Sequence, residues 1–135
     1  MATPHDMPAD KTLDRILALD EVSADTYRSV EPDRNLNGEV FGGQYLGLSI
    51  AAAMRGSDGR PPHAMLATFL RGAQAADPLD YKAERTRDGR TFAHRRITAV
   101  QHGREVFRAE VSLHDWEDGE LEHAARMPDV PPPEA

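Results

Sequence analysis

The feature that most constrains this chain is a polar, glycine-rich turn, NLNGEVFGGQ at residues 35–44, that runs directly into the apolar stretch YLGLSIAAAM at residues 45–54. With about 3.6 residues per helical turn, the apolar side chains of that stretch point in every direction, so the helix has no polar face of ordinary width. The sequence therefore predicts a buried helix from about Gly43 to Arg55. Gly47 and the alanines would let a sheet pack closely against it.

The segments around this helix have the patterns of short elements. TLDRILALD at 12–20 predicts a short amphipathic helix with Thr12 as a possible cap, and EVSADTYRSVE at 21–31 predicts a strand. Four strand-like runs follow the buried helix, with turn signals between them. They are HAMLATFLR at 63–71, LDYKAERTR at 79–87, TFAHRRITAV at 91–100 and EVFRAEVSLHDW at 105–116.

These four runs predict an antiparallel meander. The first is apolar on both alternating faces, which is typical of a central strand covered on both sides. Asp88-Gly89 predicts a hairpin turn, and Gln101 to Arg104 predicts a second tight turn. A meander of strands with one buried helix is an α+β arrangement.

Length and composition predict a single domain. The 135 residues are 39% hydrophobic, enough for one modest core, which we place at residues 11–117 between tails at 1–10 and 118–135. No run approaches the roughly 18 apolar residues of a membrane span, and no secretory signal pattern is present, so we expect a cytoplasmic protein without a membrane partner. Zero cysteines exclude disulfides and thiolate nucleophiles. We expect no cofactor and no metal.

Charge narrows the possible ligands. The net charge is −7 and aromatic residues make up 6%, which disfavours nucleic acid. The basic residues crowd into one region, with seven arginines between Arg85 and Arg108. Guanidinium groups suit phosphate geometry, so this cluster can hold a phosphorylated small molecule; alternatively, these arginines are solvated residues that protect strand edges.

A sheet wrapped around one apolar helix is the hotdog fold, and four motifs carry the resemblance further. VFGGQ at 40–44, HAMLATFLRG at 63–72, ERTRDGRTFAHRRITAVQHGR at 84–104 and VFRAEVSLH at 106–114 stand in the order seen in the acyl-CoA thioesterase II family. The second motif resembles a family pattern that ends in Phe-Leu-Arg-Pro-Gly. The chain is similar to the first of the two hotdog repeats that these proteins usually carry.

The resemblance implies an acyl-CoA substrate in fatty acid metabolism, cleaved by water to free acid and CoA. It also implies a homodimer, or a dimer of dimers, formed through the hotdog sheets. We expect CoA at an arginine-lined rim, the acyl chain along the buried helix and the thioester carbonyl at Gly43 and Gln44. The residues that we expect to bind substrate are Phe41, Gly42, Thr68, Arg71, Arg90, Arg95 and Arg96.

The glycine-rich turn also has a chemical interpretation. A buried helix still presents unpaired N–H groups at its first turn, and glycine there lets a ligand approach. Those donors and the positive end of the helix dipole favour the oxyanion that forms when water attacks a thioester. The turn resembles a wider hotdog motif, Asn-x-x-Gly-x-x-His-Gly-Gly, except that Phe41 replaces His. The alternative is a glycine-rich connection that simply starts a helix.

The residue that activates water is left open by the sequence. Gln44 either orients water or caps the helix, and His63 is either a general base or a surface residue. Glu39 either activates water at the neighbouring subunit's site or is solvated, and Asn35 either positions water or bonds its own backbone. In the family that the chain resembles, the catalytic Asp belongs to the second repeat, on the strand that corresponds to HAMLATFLR, near Ala64, and this sequence has no Asp there.

Two further functions therefore stay open. A non-catalytic acyl-CoA binding hotdog protein would keep the pocket and lack the acid. A hydratase or dehydratase on the same fold ranks lowest, because no paired His and Asp forms a motif.

Overall fold

The computed structural model describes residues 12–133. Within them the chain forms two helices and six strands, which are α1 Leu13–Ile16, β1 Leu19–Ser23, β2 Thr26–Ser29, α2 Gly42–Met54, β3 Pro62–Phe69, β4 Asp80–Asp88, β5 Phe92–Gln101 and β6 Arg104–His114. All of them lie inside the predicted domain at residues 11–117. The predicted tail at 1–10 lies outside the described residues, and residues 118–133 are exposed and belong to no helix or strand.

The six strands form one antiparallel sheet in the order β1-β2-β4-β5-β6-β3, and α2 packs against its inner face. The helix buries six side chains against the sheet: Gln44, Tyr45, Leu48, Ser49, Ala52 and Ala53. Opposite them on the sheet lie Tyr81, Ile97 and Phe107, each fully buried. The predicted α+β fold, an antiparallel sheet around one long helix, is therefore confirmed.

The meander follows the predicted turns. The amide of Gly89 donates to the carbonyl of Phe92 at 2.8 Å, which closes the β4–β5 hairpin. His102 and Gly103 have φ angles of 50° and 74°, the left-handed pair that a tight two-residue turn between β5 and β6 requires.

The N-terminal segment differs from the prediction. The helix α1 is only four residues long, and Thr12 makes no side-chain cap. The predicted single strand at 21–31 is a hairpin, because Asp25 has φ 52° and turns the chain between β1 and β2. Asp tolerates this left-handed conformation better than most residues, so its place in the middle of the segment was the available signal.

The prediction that residues 63–71 form a central strand is wrong. The strand β3 is an edge of the sheet and pairs only with β6 among the described strands. Its outer face is open, with Leu66 73% exposed. Burial within one chain therefore does not explain the apolar pattern on the outer face of β3.

The opposite face of α2 is also not buried within one chain. Leu46, Ile50 and Ala51 are half-buried and Met54 is exposed. These residues form an apolar stripe along the helix, and Leu46 and Ala51 pack against the edge of the core. The pattern correctly predicted a helix without a polar face, but only one of its faces is enclosed by this chain. No helix in the described part of the chain is long and apolar enough to cross a membrane.

Arg95 is not at a rim, as the sequence had suggested, but inside the fold. Its side chain is 1% exposed and donates to Oδ1 of Asp88 at 2.6 Å. It also donates to the carbonyl of Gly56 at 3.5 Å, just beyond the C-terminal end of α2. A buried cation near the negative end of the helix dipole stabilises the helix and ties it to the β4–β5 hairpin.

Arg95→Ala is expected to lower the free energy of unfolding by about 2–3 kcal/mol, because it removes a buried side chain together with its hydrogen bonds. The matched control is Arg96→Ala, which removes the neighbouring arginine from the solvent-exposed face, where ion pairs contribute little. Urea denaturation of both variants measures the difference. Equal losses of stability would contradict the structural role of Arg95.

Candidate active site

The first turn of α2 carries free hydrogen-bond donors. Phe41 stands at the N-cap and makes no side-chain cap. The amide of Gln44 donates to the Phe41 carbonyl at 3.0 Å, but no group in residues 12–133 accepts from the amides of Gly42 or Gly43. These two N–H groups point along the helix axis at its positive end. The predicted donors are therefore present, one residue earlier than the pair Gly43 and Gln44.

A cavity of about 280 Å³ reaches this turn. It is lined by Glu39, Val40, Gly42, Tyr45, Phe69, Leu70, Arg71 and Gly72. A larger hollow of about 480 Å³ lies on the outer face of the sheet, among residues such as Thr26, Lys82 and Thr98. The helix terminus does not reach that hollow, so the smaller cavity is the candidate site.

Glu39 is placed in this cavity by the loop that precedes the helix. Asn35 accepts from the amides of Asn37 and Glu39 at 2.8 and 3.0 Å, and Gly38 takes φ 81°, so the turn closes on itself. The backbone of Glu39 then pairs with that of Gln74. The Asn35 side-chain oxygen accepts both of these hydrogen bonds, which supports its structural interpretation, in which Asn35 bonds its own backbone and fixes the position of Glu39.

The carboxylate of Glu39 occupies the space above Gly72. A Cβ atom at residue 72 would collide with both carboxylate oxygens. A side chain on residue 72 would therefore displace the Glu39 carboxylate from this position. Among the residues that line the cavity, Glu39 is the one with a carboxylate side chain.

Tyr45 faces the same cavity, one helical turn after Gly42. Its ring stacks on Phe107 with centroids 5.3 Å apart and meets Phe69 edge-on at 5.9 Å. The residue is 3% exposed, and its hydroxyl is buried beside the backbone of Ala73. Burial raises the pKa of Tyr45, the backbone of Ala73 opposes this, and the charge of Glu39 adds to the rise. Tyr45 is not among the site residues predicted from the sequence.

Gln44 is a structural residue in this fold. Its Nε2 donates to the carbonyls of Ile16 and Glu31 at 2.7 and 2.6 Å, and its Oε1 accepts from the amide of Asp33 at 2.7 Å. Because all of these bonds lie in a buried environment, the side chain holds the segment before the helix in place. Both hydrogen bonds of the Gln44 side-chain amide go to these carbonyls, so this side chain has no free donor with which to orient water at the thioester carbonyl.

His63 lies far from the helix N-terminus. It begins β3, whereas Phe69 at the other end of that strand lines the cavity, and six residues of strand separate them by roughly 20 Å. The His63 ring faces the outer side of the sheet, where its Nε2 lies 2.8 Å from the Ser112 hydroxyl. Within one chain, His63 is therefore not a base for this cavity.

The predicted binding residues are divided between several places. Gly42 and Arg71 line the cavity, and Phe41 lies beside it with its ring over Gly43. Arg90 is on the β4–β5 hairpin, at the opposite end of the sheet. Thr68 and Arg96 are exposed on the outer face, where Arg96 pairs with Glu110 at 2.7 Å. Of the four arginines predicted to bind substrate, Arg71 lines the cavity, whereas Arg90, Arg95 and Arg96 do not.

The comparisons with known proteins agree with the architecture. A family model described as "Acyl-CoA thioesterase N-terminal domain" matches residues 31–114. Acyl-coenzyme A thioesterase 8 of Rattus norvegicus is 34% identical over 120 residues, which cover 88% of this chain and 38% of that protein. A solved protein described as a conserved protein with a hot dog fold, from Alicyclobacillus acidocaldarius, superposes with a TM-score of 0.68 at 25% identity, over 89% of this chain and 46% of that one.

A second solved structure, acyl-CoA thioesterase II TesB2 from Mycobacterium marinum, superposes with a TM-score of 0.73 at 33% identity, over 89% of this chain and 44% of that one. The fold is thus a hotdog fold. The chain belongs to the acyl-CoA thioesterase family, and the match is to the N-terminal domain of that family. The chain spans about two fifths of the length of the curated relatives that it matches.

Gln44→Ala is expected to lower the free energy of unfolding by about 2–4 kcal/mol, because the buried carbonyls of Ile16 and Glu31 lose the donor that the side chain supplies. Thermal unfolding followed by circular dichroism measures this loss. The control is Gln74→Ala, an exposed residue whose side chain has no such tether. A stable variant with reduced turnover would instead restore a catalytic role for Gln44.

Proposed function

We propose that this protein hydrolyses acyl-CoA thioesters, with the reaction at the N-terminus of α2. The observation that carries the proposal is that one cavity holds both a free helix N-terminus at Gly42 and the carboxylate of Glu39. The first can stabilise an oxyanion and the second can take a proton from water. Membership of the acyl-CoA thioesterase family supports the same reaction.

In the proposed reaction, the thioester carbonyl oxygen accepts hydrogen bonds from the amides of Gly42 and Gly43. Glu39 removes a proton from water while the water oxygen bonds to the carbonyl carbon. The negative charge moves to the carbonyl oxygen, where the amides and the helix dipole stabilise it. The tetrahedral intermediate then collapses, the C–S bond breaks, and the thiolate of CoA receives the proton from Glu39.

Arg71 is proposed to bind a phosphate of CoA at the mouth of the cavity. Its Nη1 donates to the carbonyl of Glu105, which fixes the guanidinium at the end of β3 while the residue stays exposed. A guanidinium held at one nitrogen still offers donors to a phosphate. The acyl chain is proposed to extend from Gly42 along the apolar stripe of Leu46 and Ile50.

The proposed assembly is a homodimer that pairs β3 of one protomer with β3 of its partner. The edge of β3 has unpaired backbone N–H and C=O groups that a second strand can pair with, and the exposed Leu66 and Phe69 beside it can be covered at the same time. A second copy would also cover the half-exposed stripe on α2 and so enclose the acyl chain. We expect this enzyme to act in the cytoplasm, in fatty acid metabolism.

Glu39→Gln is expected to lower kcat by about 100- to 10,000-fold, the usual contribution of a general base, with little change in KM. Release of free CoA thiol from acetyl-, octanoyl- and palmitoyl-CoA measures the effect. The matched control is Glu21→Gln, an exposed strand residue outside the cavity, which should keep the wild-type rate.

The same assay separates the enzyme from a non-catalytic acyl-CoA binding protein. The absence of an acid along α2, from Gly42 to Met54, favours that second function as the alternative. Thermal stabilisation of the wild-type protein by acyl-CoA without release of thiol would establish binding and reject hydrolysis. An unchanged rate in Glu39→Gln would remove this residue from the mechanism.

Leu66→Lys is expected to convert the dimer to a monomer, because like charges would face each other across paired β3 strands. The molar mass measured by light scattering after size-exclusion chromatography should fall from about twice the chain mass of 14.9 kDa to that mass. Val22→Lys, on the opposite edge strand β1, is the control and should leave the dimer intact. A monomeric wild-type protein would reject the proposed assembly.

A further inference from the structure

A second buried glutamine, Gln101, holds the loop that follows β3. Gln101 is 7% exposed and stands at the end of β5, directly before the turn into β6. Its Oε1 accepts from the amide of Gln74 at 2.8 Å, and its Nε2 donates to the carbonyls of Gln74 and Asp77 at 2.9 and 3.0 Å. The oxygen and both amide hydrogens of this side chain are therefore in use.

The loop held by Gln101 pairs with the chain before α2. Two backbone hydrogen bonds join the segments: Val40 N–H to Ala73 C=O at 2.9 Å, and Ala75 N–H to Gly38 C=O at 3.1 Å. Between these bonds, Glu39 and Gln74 lie opposite each other. In an antiparallel pair, the N–H and C=O groups at such a position point outward, away from the partner segment. Both residues therefore need a second partner on their outer side.

Glu39 and Gln74 each have that outer partner. On one side, the Asn35 side chain accepts from the amide of Glu39 at 3.0 Å, and the Asn35 amide donates to the Glu39 carbonyl at 2.8 Å. On the other side, the Gln101 side chain binds both the amide and the carbonyl of Gln74. A side-chain amide can do this because it carries the same donor and acceptor as a peptide group. The pair of Glu39 and Gln74 is thus clamped from both sides.

The place of the Glu39 carboxylate depends on this loop. The carboxylate fills the space above Gly72, two residues before Gln74, where a Cβ atom would collide with it. Because Gln101 is buried, loss of its side-chain amide would leave the N–H and C=O of Gln74 without these partners. The loop would then move toward water to regain them, and the carboxylate of Glu39 would move with it.

We propose that Gln101 is a positioning residue for the reaction. Through the backbone of Gln74, it holds the Glu39 carboxylate at a fixed place relative to the first amides of α2. This inference rests on the proposed function. Gln101 does not line the cavity, so it acts on Glu39 and not on the substrate. Displacement of a reacting group by about 1 Å can lower a rate by about 100-fold.

The test is Gln101→Met, which keeps the length of the side chain and removes its hydrogen bonds. With octanoyl-CoA, kcat is expected to fall roughly 10- to 100-fold while KM changes less than about twofold, because the base moves and the binding groups stay. The matched control is Ser57→Ala. Ser57 is 1% exposed and donates to the carbonyl of Met54 at 2.8 Å, at the far end of α2. This variant loses a buried hydrogen bond to the backbone and should keep the wild-type kcat.

A double variant separates positioning from general damage to the fold. If Gln101 acts through Glu39, adding Gln101→Met to Glu39→Gln should lower kcat by no more than about another twofold. Multiplied losses in the double variant would reject the inference. So would an unchanged kcat in Gln101→Met, or an equal loss of kcat in Ser57→Ala.

Hydrogen exchange gives a measurement that does not depend on turnover. In Gln101→Met, the amides of Val40 and Ala75, which flank Glu39 and Gln74 in the pairing, should exchange roughly 10- to 100-fold faster. The amides in the middle of β5 and β6 should keep their wild-type rates. Equal protection of Val40 and Ala75 in the two proteins would overturn the inference.

Two further outcomes are covered by the same measurements. If Gln101→Met does not fold, Gln101→Glu takes its place, because it keeps an acceptor for the Gln74 amide and loses the donors to the two carbonyls; the same loss of kcat is expected. If the wild-type protein releases no thiol from octanoyl-CoA, the proposed function fails for that substrate. Hydrogen exchange then decides alone whether Gln101 holds the loop against Glu39.

Discussion

The start of α2 is the constraint on which the rest of the site depends. A helix that begins with Phe41 at the cap and two glycines has no side chain of its own to satisfy its first amides. On an exposed helix, water would take that place at little cost. Here the same end opens into a small cavity, so the unsatisfied donors and the helix dipole are directed at whatever occupies it. The loops around the helix serve to keep this end open.

Gln44 shows how the fold achieves this. Its side chain faces away from the cavity and holds the carbonyls of Ile16 and Glu31, so the segment before the helix is fastened behind the first turn. The loop from Asn35 to Glu39 is fastened in front of it. The amide-rich end of the helix therefore lies between two fixed segments, and neither supplies an acceptor to Gly42 or Gly43.

The sequence predicted the elements whose patterns are local. The helix at 42–54, both hairpin turns and the alternation along β6 follow from residue types a few positions apart. The errors arose where long-range packing decides. An apolar pattern on both faces is the same for a central strand and for an edge strand with one open face, so β3 was misplaced. A single arginine gives no sign that Asp88 and the end of α2 will enclose it, and Arg95 was misplaced for that reason.

The site residues show the same division. The glycine turn predicted the donors to within one residue, because unpaired amides are a property of any helix start. Tyr45 was missed, since its sequence position marks it only as one more apolar residue on the helix, and its place in the cavity lining depends on neighbours that are distant in the sequence.

The contact between Glu39 and Gly72 links two loops that are distant in the sequence. A carboxylate at residue 39 can occupy its place only while residue 72 has no side chain. Any side chain at residue 72 would therefore displace the flexible end of Glu39, so the proposed proton acceptor keeps its place through a glycine in a different loop.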